Sequence, residues 1–288
     1  MSIQAHSTGR PAFLVGGVAR PSLDAGLIEL LIEDSLTGPS SCRATFLNWG
    51  AGSDGEPSFL HFDRSVLDIG QPIRVDAPSV PGAGPLFEGK VDSLEADFRP
   101  DEAPRITCSA IPTLHAFRTT PRSRSFANQT DARVLELIAD EHGLDLHLSL
   151  DSAPVRAPDQ KKASDLAFVL GRARALGAEA WLVGKELHVH SARHRPAAEL
   201  RLTRGSNLIE LSGTWGAART GRLTRGTDPF VVVAGVASHH STLRTGRRVR
   251  LQGVGSLFEG EYYVTRTSHR LSGANGLVCV FDAERVAD

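Results

Sequence analysis

Hydrophobic and polar residues alternate in short runs toward both ends of the chain, whereas its middle carries helical spacing. Ala12–Val18, Leu27–Glu33 and Ile73–Val75 have the two-residue period of strands with one buried face, separated by Gly, Pro, Ser and Asp clusters. Around residue 120 the pattern changes. Thr130 is placed to cap a helix whose stripe is Val134, Leu135, Ile138 and Ala139, and Gly143 is placed to end it. Leu144–Leu150 alternates as a strand. Ser164 then caps a second helix, with Leu166, Val169, Leu170, Ala173 and Leu176 facing inward before Gly177. Ala180–Val183 and Glu186–His190 read as a hairpin. Strand patterns resume at Leu208–Leu211, Phe230–Ala234, Val249–Leu251, Tyr262–Thr267 and Leu277–Phe281. The expected organisation is β-rich α+β, with β units over 1–120 and 199–288 separated by a small α+β insert over 121–198.

The two β units share a repeated phrase. Gly70–Val75 (GQPIRV) followed by Leu86–Gly89 (LFEG) resembles Gly246–Leu251 (GRRVRL) followed by Leu257–Gly260 (LFEG). The first halves align at an offset of 176 residues and the second at 171, which places a five-residue gap at the Pro/Gly-rich loop Pro78–Pro85. Extending the second offset puts Cys108 on Cys279. A duplicated β unit implies two similar barrels in one chain. A smaller likeness, Arg201–Gly205 against Arg222–Gly226, carries no functional reading.

At 288 residues the chain can bury a sizeable core, and a net charge of −1 argues against a nucleic-acid or anionic-membrane binder. Of 32 basic residues only four are lysines, leaving 28 arginines; with Ala, Gly and Pro also plentiful this reads mainly as codon bias of a GC-rich genome, although the planar arginine fork also suits ion pairs at interfaces. Three cysteines without a CxxC spacing fit a reducing compartment. The sequence contains neither an apolar leader pattern near its start nor an apolar run long enough for a transmembrane helix. A role outside the cell would therefore depend on leaving as part of an assembly.

Little in the chain points to catalysis. His188 and His190 share a strand face and His194 follows, but no carboxylate or cysteine completes a ligand set; His239 and His240, being adjacent, point oppositely on a strand. No nucleophile elbow, phosphate loop or HExxH motif is present. Glu88 and Glu259 occupy matching repeat positions, which suggests duplicated structure rather than an acid/base pair. No catalytic residue, cofactor or metal is expected.

Three stretches together resemble one family. Ser125–Asp131 (SFANQTD) with Gly143-Leu144, Gln160–Phe168 (QKKASDLAF), and Leu257–Thr265 (LFEGEYYVT) with His269 are similar to motifs of phage tail hub proteins. That group comprises late control protein D, the N-terminal half of type VI secretion VgrG spike proteins, and hubs of extracellular contractile injection systems. The resemblance implies two tail-tube-like β-barrels per chain, assembled as a homotrimeric ring that adapts a sixfold inner tube to a threefold spike. It implies binding to the tube or tube-initiator protein, a separate trimeric spike and other baseplate components, with no nucleic acid or direct membrane contact. Assembly would occur in the cytoplasm, ahead of incorporation into a tail or injection-particle baseplate. Residues expected at subunit or tube contacts are Arg74, Phe87, Glu88, Arg250, Phe258 and Glu259. Alternatives are a hub with peptidoglycan-hydrolase activity and a distal-tail adaptor of a non-contractile phage. Against that resemblance, the large insertion that such hubs carry after the segment matching Gly226–Pro229 is expected to be missing, and with no needle pattern in the sequence the spike is expected to be a separate polypeptide.

Overall fold

The computed structural model describes all residues except 1–9, 37–39, 53–54, 78–83, 151–157, 184, 192–197, 199, 217–229, 273–275 and 287–288. The first part contains β1 (Ala12–Val15), β2 (Val18–Ala19), α1 (Pro21–Gly26), β3 (Leu27–Ser35), β4 (Ser41–Leu47), β5 (Gly50–Ala51), β6 (Pro57–Ser58), β7 (Pro72–Asp76), β8 (Phe87–Asp97) and β9 (Arg105–Pro112). The middle contains α2 (His115–Thr119), β10 (Arg122–Arg124), α3 (Asp131–Glu141), β11 (Asp145–Ser149), β12 (Gln160–Ala163), α4 (Asp165–Ala175), β13 (Ala178–Val183) and β14 (Glu186–Ser191). The last part is all strand: β15 (Leu200–Thr203), β16 (Leu208–Gly216), β17 (Phe230–Ser238), β18 (Arg248–Gln252), β19 (Gly260–Ser272) and β20 (Gly276–Val286).

Thirteen strands of the two outer parts form one large, mostly antiparallel sheet in the order β16-β17-β20-β19-β3-β4-β9-β8-β7-β1-β2, with β15 and β18 attached beside β19. The order repeats. From β3 it reads β3-β4-β9-β8-β7-β1, and from β16 it reads β16-β17-β20-β19-β18-β15. The registers repeat as well. Leu27 opposes Phe46 and the ladder shifts before Glu29; Leu208 opposes Ala237 and the ladder shifts before Glu210. The β8–β9 bulge lies between Val91 and Ser93, the β19–β20 bulge between Val264 and Arg266. Gly70 N donates to Val91 O while Val91 N donates to Gln71 O; Gly246 N donates to Val264 O while Val264 N donates to Arg247 O. Bulges interrupt a ladder at a defined point, so their recurrence marks one folding pattern used twice.

These registers refine the sequence alignment. The offset of 176 between Pro72 and Arg248 holds for β7 and β18, but β8 and β9 map onto β19 and β20 at an offset of 173, from Val91 to Val264. Cys279 therefore matches Ile106 and Cys108 matches Phe281; the cysteines are not equivalent. Likewise Glu88 matches Glu261, not Glu259. The second LFEG is not a strand start: Leu257 and Phe258 lie in a turn, and β19 begins only at Gly260. The duplication breaks at the sixth strand, where β1 runs antiparallel to β7 but β15 runs parallel to β18.

Each part has its own apolar cluster. Phe13, Phe46, Ile73, Val91 and Ile106 lie in the first, Leu202, Val233, Val249, Tyr262 and Phe281 in the last. In the middle part, α3 and α4 pack Val134, Leu135, Ile138 and Val169 on Leu187 and Val189. Their caps are those expected: Thr130 Oγ1 accepts from Arg133 N at 3.3 Å, Ser164 Oγ accepts from Ala167 N at 3.2 Å, and Gly143 and Gly177 follow at positive φ. β13 and β14 pair antiparallel as anticipated, and β11 joins β14 in parallel. Sequence periodicity gives no sign of the short helices α1 and α2, and His194, Arg222–Gly226 and most of Pro78–Pro85 lie outside the described residues. No helix among the described residues is long and apolar enough to cross a membrane.

The middle part docks on the second β unit through three consecutive residues. Glu179 faces Arg248 across 2.8 Å, the Ala180 carbonyl accepts from Tyr263 Oη at 2.7 Å, and Trp181 lies against Gly246. The Glu179 side chain is 2% exposed and pairs there with that guanidinium. Arg248→Ala is expected to lower folding stability by about 3 kcal/mol, the range for removing one partner of a buried pair. Arg248→Met with Glu179→Gln should recover much of it in urea titrations.

Candidate assembly surface

The surface that stands out is the exposed edges of the large sheet, because the fold leaves two of them without strand partners among the described residues. β7 covers β8 only as far as Lys90, so the outer edge of β8 from Ser93 onward pairs with β9 alone. Past Leu208, which also bridges to Arg204, β16 pairs only with β17 among the described residues. Both edges carry exposed apolar side chains. Ile209 and Trp215 stand out on β16, and Phe98, just past β8, is 61% exposed. Phe98 belongs to an aromatic cluster with Phe59, Phe62 and Trp49, whose successive ring centroids lie 5.1 to 5.8 Å apart. A contiguous exposed aromatic group of this kind is typical of a contact surface.

The six residues singled out from the sequence fall into three settings. Arg74 and Arg250 are exposed at equivalent points of β7 and β18, opposite Glu88 and Glu261. Arg250 pairs with Glu261 at 2.6 Å, whereas Arg74 turns to Asp76 at 2.9 Å and leaves Glu88 exposed. Phe87 points into the first core, and Phe258 packs on the last core against Gly213, so neither ring is a free surface anchor. Glu259 Oε1 accepts from Gly253 N at 2.8 Å and closes its own turn. The sheet edges were missed. One signal was available: Leu27–Leu30 and Leu208–Leu211 are the same tetrapeptide, LIEL, and mark the equivalent strands β3 and β16.

The titratable groups are arranged for structure. Burial pushes the Cys108 and Cys279 thiols up to about 12, and that of Cys42 higher still, so none is a ready nucleophile. Partly buried Arg244 ties the two β units together, its guanidinium donating to the carbonyls of Pro85, Leu86 and Ser241 at 2.8 to 2.9 Å. Burial lowers its pKa to about 10. His239 and His269 meet edge to face beside it, with ring centroids 5.4 Å apart. Among the described residues, two side-chain groups bring possible metal donors within 4.8 Å: Glu141, His142 and Asp165, and His147, Glu186 and His188. Arg122 and Arg124 already bind the carboxylates of the first. In the second, His188 is stacked between His147 and Trp181, presenting ring faces rather than nitrogens to both. His190 tilts over the same Trp181.

A family model described as the Alg8 N-terminal domain matches residues 51–222, more than half of the chain, and the chain belongs to that family. That description is unrelated to a tail protein, and the matched span cuts across all three parts of the fold without marking a site. No curated protein matches the sequence significantly. Solved structures agree on the architecture. The chain superposes on the 43 kDa tail protein of prophage MuSo2 from Shewanella oneidensis with a TM-score of 0.66 and 13% identity, covering 96% of this chain and 98% of that one. A tail protein from Neisseria meningitidis gives 0.62 at 12% identity, covering 96% of each chain. An Escherichia coli type VI secretion component, described as similar to T4 bacteriophage tail proteins gp27 and gp5, gives 0.62 at 14% identity, covering 94% and 76%. The chain thus has the β-rich fold of phage tail and VgrG-related proteins.

Proposed function

We propose that this protein is a structural hub of a contractile tail or injection particle: three copies form a ring that joins a sixfold inner tube to a threefold spike. The observation that supports it most is the doubled five-strand unit, β3-β4-β9-β8-β7 and β16-β17-β20-β19-β18, with the same strand order, registers and bulges in both halves. Each half would act as one tube-like barrel, so that three chains offer six equivalent positions. The likeness to tail proteins over nearly the whole of both chains supports the same reading. Cyclic rings of this kind are built from head-to-tail contacts, which need two different, complementary surfaces on each subunit. The tube and a separate spike would bind opposite faces of the ring, with Arg74, Glu88 and Arg250 at exposed positions for polar contacts. The middle part would sit outside the ring as a brace on the second barrel. The role is mechanical, with no catalytic step. Native mass spectrometry of the purified chain tests it: the expected species is three times 30.8 kDa, about 92 kDa. A chain that stays monomeric both alone and with its tube and spike partners would overturn the hub reading.

A further inference from the structure

Along the sequence His188 has His190 for a neighbour but no third ligand; the strand register of the middle sheet supplies one. β11 runs parallel to β14, so that His147 lies directly opposite His188, and Asp145 lies opposite Glu186. Side chains alternate along a strand, so these four residues stand together on one face. The other face carries Leu146, Leu148, Leu187 and Val189, which pack in the middle core with α3 and α4. The donor atoms of His147, Glu186 and His188 all lie within 4.8 Å of one another.

The geometry points to a binding site for a divalent transition-metal ion, zinc above all, formed by His147, Glu186 and His188. Two imidazoles and one carboxylate are a set that holds zinc while leaving a fourth position open. His147 and Glu186 are exposed, so an ion can reach the site without opening the fold. His188 is the fixed member. Its ring is held between Trp181 and His147, at centroid separations of 5.0 and 4.7 Å, and its Nε2 lies 3.1 Å from Glu186 Oε2. The His147 and His188 rings are only 12° from parallel, and one ion cannot lie in two parallel ring planes. Binding therefore requires His147 to turn out of the stack and aim a nitrogen at the edge where His188 meets Glu186. Around a tetrahedral zinc ion donor atoms sit roughly 3.4 Å apart, so the set must close by about 1.4 Å at most (4.8 − 3.4). Rotation of one exposed side chain covers that distance.

Charge separates this group from the other triad of donor side chains. At Glu141 and Asp165 a cation would have to displace the guanidinium groups of Arg122 and Arg124. Glu186 has no such competitor: among the described residues its side chain meets only His188. Asp145, exposed on the same face, adds a second negative charge nearby. Burial, more than any other cause, lowers the pKa of His188; Glu186 opposes the shift, and His147 and His190 add to it. The ring is thus mostly neutral at pH 7, with a lone pair to offer. His190, its ring centroid 5.8 Å from that of His188, lies outside the set. An ion held here would tie β11, an edge strand of the middle sheet, to β14.

The site does not depend on the ring reading, and direct binding tests it. Calorimetric titration of the untagged chain with zinc chloride at neutral pH should show one saturable equivalent per chain. His147→Ala and Glu186→Gln each change an exposed side chain. Each should weaken binding by at least the roughly tenfold that loss of even an outer-shell partner costs a metal site. Affinity should also fall as pH drops below about 6.5, where imidazoles take up protons. Cobalt in place of zinc should give the visible bands of a four-coordinate ion without thiolate charge transfer, because Cys42, Cys108 and Cys279 are buried. Those bands should vanish in His147→Ala, and zinc should raise the melting temperature of the unaltered chain but not of that variant. No saturable binding, affinity unchanged in both variants, or a cobalt spectrum with thiolate character would overturn the site.

Discussion

Gly246→Ala is expected to destabilise the protein by about 3–5 kcal/mol, whereas the equivalent Gly70→Ala should cost only about 1–2 kcal/mol. The two glycines are the same residue of the duplicated unit. Both adopt a left-handed conformation, with φ of 81° at Gly70 and 84° at Gly246, and both donate to the matching valine carbonyl at 2.8 Å. An alanine at either site meets the strain of that backbone region. Their surroundings differ. A Cβ at Gly70 would meet nothing within 4 Å, while one at Gly246 would lie 2.1 Å from Cβ of Trp181. That overlap involves no flexible side-chain end, so β13 and β18 would have to separate, adding an overpacking cost of about 1–3 kcal/mol. Because Gly246 sits where the middle part docks, the variant should also loosen the Glu179–Arg248 pair. Urea titrations of the two variants side by side check the difference; equal losses would show that the docking contact contributes little.

Acid should weaken the protein over the range in which most proteins are still comfortable. Burial is the main cause holding His239 down to about 4, with Arg244 and His240 adding to it, and burial lowers His269 well below its ordinary value of 6.5. A histidine lowered in the folded state is neutral there while the unfolded chain takes up a proton. Its stabilising contribution is complete above the unfolded pKa of about 6.5 and falls as pH drops toward the folded value. For His239 alone the loss between pH 6.5 and about 4 is roughly 3 kcal/mol. His269 should add to it, since its centroid lies 5.4 Å from that of His239 and two imidazolium rings there would repel. Thermal unfolding should show a melting temperature that declines from pH 7 to pH 4.5. In His239→Phe and His269→Phe the decline should be shallower; an unchanged slope in both would assign the acid sensitivity to other groups.

Much of the architecture was legible because local chemistry wrote it. α3 and α4 have side-chain caps at Thr130 and Ser164 and left-handed glycines after them, so their limits follow from composition alone. The repeated Gly70–Val75 phrase correctly matched β7 to β18, since in both copies an exposed arginine follows a buried aliphatic residue. The repeated LFEG misled. Identical letters serve as strand in one copy and turn in the other, because β8 begins at Phe87 and β19 only at Gly260. That two-residue slip is invisible without hydrogen-bond registers, and it carried the false equivalence of Cys108 and Cys279. The LIEL pair was readable but short, and its strands diverge after four residues. β3 is interior and continues with Leu31 and Ile32, whereas β16 lies at an edge and continues with Ser212 and Gly213. The contact surface was least legible. An unpaired edge is a property of topology, and the Trp49, Phe59, Phe62 and Phe98 cluster is gathered from three separate segments. The same holds for His239, in the segment just past β17 rather than on a strand, and His269 on β19, which lie thirty residues apart.

The join between β3 and β19 also sets the order in which the molecule can be finished. Glu33 and Arg266, which bridge it at 2.9 Å, are 233 positions apart in the chain. At translation rates of about 5–20 residues per second, β3 waits on the order of ten to fifty seconds on the ribosome before its permanent neighbour exists. Through that interval the nascent first unit presents an open strand carrying Leu30 and Ile32, which end up buried. Neighbouring ribosomes on one message would hold several such strands close together, each a template for the others. Slow synthesis or a pause late in the message should therefore lower soluble yield more than the stability of the finished protein would suggest.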